Sequence, residues 1–177
     1  MTFESTNAFI HKCAESNELY KYVPEVGDKD DAEKRCVLLH IDMRSQITLL
    51  KRTDDSLPDK HRVNINQQLG SFVRGKRLLV LGAPAPNCDC DMKGLKRNRN
   101  ILWTMRFREY HHYRLIGVVA EKDFFVGLTL LPREDIDWDA ACQLTLKMYD
   151  SIRGSASCVA VKSRDADKAF SNGNSPI

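Results

Sequence analysis

Residues 101–131, ILWTMRFREYHHYRLIGVVAEKDFFVGLTLL, decide the fold. In ILWTMRFR, 101–108, Leu102, Thr104, Arg106 and Arg108 alternate with Ile101, Trp103, Met105 and Phe107, the period of two expected of a strand with one apolar face. YRLIGVVA, 113–120, and FFVGLTLL, 124–131, are two further strand-like runs, and the polar link EKD between them fits a hairpin.

Working outward, CVLLHI at 36–41 is a short apolar, partly β-branched run and predicts a buried strand. Asp42 stands where a helix cap would, and Met43, Ile47 and Leu50 follow at helical spacing. TDDSLPD then interrupts the chain. A second helix is predicted from about Pro58, with Val63, Ile65, Leu69, Phe72 and Val73 as its apolar side and Gly75 as its stop. RLLVLG at 77–82 suits a strand, and APAPNCDCD is a proline-containing loop. A last helix is expected over Trp138–Ile152, with Asp135, Asp137 and Asp139 near its positive end and Ala141, Leu144, Met148 and Ile152 as its stripe. Strand, helix, helix and then antiparallel strands is an α+β order. Residues 1–35 read as an acidic N-terminal extension, 36–153 as one domain, and 154–177 as a flexible tail rich in Ser, Asp, Lys and Gly.

Charge is distributed unevenly. Between Arg74 and Arg114 stand ten Lys or Arg and three acids, a local +7 in a chain whose total is +3. Residues 1–33 carry −5 and residues 119–150 carry −4. A focused positive field attracts a polyanion such as nucleic acid, and Lys93, Lys96, Arg97, Arg99, Arg106 and Arg114 are the candidate binding residues within it. The competing interpretation is a soluble protein with an uneven solvated surface.

At 177 residues and 42% apolar, the chain suits one packed core. It has no apolar run of membrane-spanning length, and MTFESTNAFIHKCAESNELYKY lacks the pattern of a secretory signal; a cytoplasmic protein with no membrane partner is expected. The six cysteines are then expected as free thiols. Cys88 and Cys90 with His111 and His112 hold the ligand types of a zinc site, but the single residue between the cysteines is too few and adjacent strand histidines point apart. Neither metal nor cofactor is expected.

MKGL at 92–95, ILWTMRFR at 101–108, YRLIGVVAEKDFFVGLTLL at 113–131 and PRED at 132–135 together resemble the RelE/ParE/HigB superfamily of bacterial toxins, over roughly residues 36–135. The resemblance implies a small antiparallel sheet packed on a helical hairpin. It also implies either a metal-independent endoribonuclease, acting on the ribosome or on free RNA, or an inhibitor of a protein target such as DNA gyrase, and an antitoxin as partner. By position, Arg108 matches the family's strand arginine, Arg114 the arginine of Tyr-Arg-Leu, and Arg133 the arginine just past the last strand. Arg108 and Arg133 would then stabilise transition-state charge, and Lys93 or Lys96 would bind the backbone or activate the nucleophile. The family members are typically near 100 residues, so the two extensions lie outside the resemblance.

Metal-free RNA cleavage requires a base for the ribose 2′-hydroxyl, cations around the pentavalent phosphorus and an acid for the leaving 5′-oxygen. Planar guanidinium forks suit phosphate oxygens. His111 and His112, between Arg108 and Arg114, titrate near neutrality and are the local candidates for acid or base. Each has a plain alternative: strand arginines as solvated surface, the histidine pair as ordinary turn residues, Arg114 in a structural ion pair, and Tyr113 as core. Three functions stay open: a toxin-like RNase, a toxin-fold inhibitor of a protein, and a nucleic-acid-binding or interaction module.

Overall fold

A computed structural model of the chain describes residues 18–24, 34–49, 56–83, 90–96, 98–107, 113–154, 160–171 and 173–174. The strands are β1 (Leu19–Lys21), β2 (Cys36–His40), β3 (Leu78–Leu81), β4 (Met92–Gly94), β5 (Leu102–Arg106), β6 (Tyr113–Glu121), β7 (Phe124–Pro132) and β8 (Gly173–Asn174). The helices are α1 (Asp42–Ile47), α2 (Asp59–Val73), α3 (Trp138–Arg153) and α4 (Ala166–Ala169). The class is α+β.

The strands form one sheet in the order β1-β2-β7-β6-β5-β4-β3-β8. Its centre, β7-β6-β5-β4, is antiparallel, as the hairpin signals require. The flanks make it mixed: β2 runs parallel to β7, and β3 runs parallel to both β4 and β8. α1 and α2 carry the chain from β2 on one side of the centre to β3 on the other.

Alternation along the strands separates two cores. Val37, Leu39, Trp103, Met105, Phe107, Leu115 and Phe125 pack with Ile65, Leu69 and Phe72 of α2. Leu38, Leu102, Val118, Val126 and Leu128 face the other way, against Cys142, Leu146 and Tyr149 of α3. Ile101 was expected beside Trp103; it precedes the strand and joins the α3 side instead. Asp137 begins α3 by accepting the backbone N–H groups of Asp139 at 3.0 Å and Ala140 at 3.1 Å, a side-chain cap of the orphan donors.

Parts of both segments outside residues 36–153 pack on the sheet. Leu19 and Tyr22 are buried, and β1 pairs antiparallel with β2. The expected flexible tail is packed through residues 160–171. Phe170, 2% exposed, meets Phe72 and Trp103 edge-on. Ser163 donates its N–H to Asn100 at 2.7 Å and its hydroxyl to the Leu95 carbonyl at 2.9 Å. The backbone here comes so close to β4 that a Cβ on Gly94 would stand 1.9 Å from the Ser163 carbonyl oxygen, an approach only glycine permits. One buried aromatic side chain and this hydrogen-bonded strap fix a segment whose composition is that of a tail.

No helix among the described residues is long and apolar enough to cross a membrane.

Candidate phosphate-binding site

The ladder of β4, β5 and β6 builds the site. Lys93 is the cross-strand partner of Thr104, and Arg106 that of Arg114. Since side chains along a strand change face at each residue, all four project to the side on which α3 packs. α3 covers that face over β6 and β7 and leaves a pocket at its N-terminal end.

That pocket, of about 350 Å³, is lined by Lys93, Leu95, Thr104, Arg106, Arg114, Arg133 and Trp138. Among the described residues that line it, four of the seven are cationic and none is acidic. Arg133 arrives from the 3-10 turn Arg133–Asp135 that links β7 to α3, and Trp138 is the first residue of α3. Arg114 is the most enclosed of these four cations, at 4% exposure, and its Nη1 donates to the Tyr113 carbonyl at 2.9 Å. Arg106 is half-buried and its Nη1 lies 3.5 Å from the Cys90 thiol sulfur. Arg133 is exposed at the rim.

Thr104 supplies the second kind of polar group. It is 3% exposed, and its hydroxyl oxygen is buried without a hydrogen-bond partner among the described residues. A buried hydroxyl in that state carries a desolvation cost that an acceptor placed in the pocket would relieve. The N-terminal end of the 16-residue α3 adds the positive end of a helix dipole to the same side.

Among the residues singled out from sequence, Lys93, Arg106, Arg114 and Arg133 are therefore brought together. Arg99 is drawn elsewhere: its Nη1 pairs with Asp150 of α3 at 2.6 Å, and that carboxylate raises its pKa. Lys96 is exposed and does not line the pocket. Arg97, Arg108, His111 and His112 lie outside the described residues, as does Cys88. Their flanks are placed nonetheless: Phe107 donates its N–H to the Tyr113 carbonyl at 3.0 Å, which closes the β5-β6 hairpin at the pocket's end of the sheet. Burial pushes the Tyr113 phenol up, so it is neutral at physiological pH, and its ring packs against His61 at 5.3 Å.

Thr104 and Trp138 were missed in the sequence as site residues. Thr104 was legible, because it shares the Leu102-Thr104-Arg106 face. Trp138 was not, because its place depends on where α3 crosses the sheet. Among the described residues no three His, Cys, Asp or Glu come together as metal-ligand clusters do.

Comparisons with protein-family models, with curated proteins and with solved structures found no match to this chain.

Proposed function

We propose that this protein binds RNA by seating a backbone phosphate among Lys93, Arg106, Arg114 and Arg133, and cuts the strand there by attack of the 2′-hydroxyl without a metal. The observation that carries the reading is the convergence of four cations and one buried hydroxyl on a single pocket among the described residues. Three guanidinium forks and an ammonium match the oxygens of a phosphodiester and the added charge of its pentavalent transition state. Trp138 at the wall offers a stacking surface for an unpaired base. The resemblance to the RelE/ParE/HigB superfamily supplies the reaction type, and with it an antitoxin that would cover the basic pocket.

Proton transfer rests on His111 and His112, in the segment that leaves β5 after Phe107 and enters β6 at Tyr113. None of the described lining residues is a base at neutral pH, and that favours a second reading: a module that binds the same RNA without cutting it.

Mapping RNA 5′-ends in the presence of EDTA separates the two readings. Cleavage predicts new 5′-hydroxyl ends with the unaltered protein and a loss of about 100-fold or more with Arg133→Ala. RNA that stays intact while binding tightly overturns the nuclease and leaves the module. RNA that neither binds nor breaks overturns both.

A further inference from the structure

Arg106 belongs to two pockets. Besides the site on the α3 side, it helps to line a second cavity of about 280 Å³ on the α2 side of the sheet, with Lys76, Arg77, Asp91 and Met105 among its walls. The two cavities lie at the same end of the sheet. β5 finishes at Arg106, and Asp91, just before β4, accepts the Arg106 N–H at 2.9 Å. Lys76 and Arg77, between the end of α2 and the start of β3, stand on the other side of that end.

We propose that the RNA-binding surface continues around Arg106 into this second pocket, where Lys76 and Arg77 hold another phosphate of the same single strand. The inference rests on the first pocket being a phosphate site. Lys76 and Arg77 are both exposed. The fold uses the Lys76 backbone and leaves its ammonium to the cavity wall: its carbonyl accepts Arg35 Nη1 at 2.9 Å and its N–H donates to Ser71 at 3.0 Å. Asp91, the one acid among the described lining residues, accepts the Leu79 N–H on Oδ2 at 2.8 Å, which ties that carboxylate to the strand edge. Among the described lining residues three cations stand against one carboxylate, a net positive wall of the kind that attracts phosphate. A strand that passes from one face of the sheet to the other must turn around its end. A flexible single strand does so readily, while a duplex is stiff over many base pairs.

The test compares RNA length. Fluorescence anisotropy with labelled oligouridylates of two and eight nucleotides is measured on the full chain and on Lys76→Ala/Arg77→Ala, with Arg133→Ala as control. The expected result is dinucleotide affinity within about 2-fold of the unaltered protein and octanucleotide affinity lower by about 10-fold. Equal losses at both lengths, no loss at either, or the same loss with a duplex octamer overturns the continued path. If instead Arg133→Ala leaves dinucleotide binding unchanged, the first pocket itself is not a phosphate site, a distinct failure.

Discussion

Arg106 and Arg114 are direct partners across the β5-β6 ladder, so both side chains leave the same face at one end of the sheet. Like charges opposite each other on adjacent strands destabilise a sheet, and a bound anion turns the repulsion into shared coordination.

Arg106→Thr should shift the stability of the ligand-free protein by no more than about 1 kcal/mol, the scale of one cross-strand pair. The same change should abolish most of the thermal stabilisation conferred by added inorganic phosphate, which for the unaltered protein at ten times its dissociation constant is about 1.4 kcal/mol. Calorimetric unfolding with and without phosphate reads both effects.

Thr104→Val keeps the shape of the side chain and deletes a buried hydroxyl that has no partner among the described residues. The variant should be as stable as the parent or more so, by up to about 1 kcal/mol. Its affinity for an RNA dinucleotide should drop by about 10-fold, as expected for a lost hydrogen bond to a charged group. Unchanged affinity would show that the hydroxyl does not meet the ligand.

Arg35 joins several distant parts of the chain. Its side chain is 1% exposed, Nε bonds Asp123 Oδ1 at 3.2 Å, and Nη1 bonds the Phe72 carbonyl at 3.2 Å and that of Lys76. Burial lowers its pKa, and the Asp123 hydrogen bond and charge oppose that effect. Asp123→Asn keeps the positive φ of 62° accessible, removes the charge and replaces one of two accepting oxygens with a donor. Urea unfolding should show a loss of about 2–3 kcal/mol, the cost of leaving a buried guanidinium with neutral partners.

Phe170→Ala tests whether the C-terminal strap belongs to the core. Removing a ring packed between Phe72 and Trp103 should cost about 3–5 kcal/mol. A loss below about 1 kcal/mol would mean that the segment rests on the core without contributing to it.

The hairpin strands, both long helices and the α+β order were legible because periods of two and 3.6 declare themselves within a few residues. The parallel flanks were not, since local patterning says which face a strand buries and not which strand lies beside it. β1 has three residues, too few for a period to show. The packing of the tail depends on Gly94, whose missing Cβ acquires meaning only once Ser163 lies across it. In the site, the charge block pointed to Lys93, Arg106 and Arg114, and the family pattern to Arg133. Their convergence required the register Arg106 to Arg114, which the intervening turn sets. Arg99 belonged to the same charge block and is claimed by Asp150, a residue 51 positions later.

The most direct test of the central claim is the salt dependence of RNA binding. For a 16-nucleotide single strand, the logarithm of affinity against the logarithm of NaCl concentration gives a slope of about −0.7 per phosphate neutralised. The convergent pocket predicts that Lys93→Ala/Arg133→Ala weakens binding and flattens that slope by about 1.4 relative to the unaltered protein. An identical slope in the two proteins would contradict it.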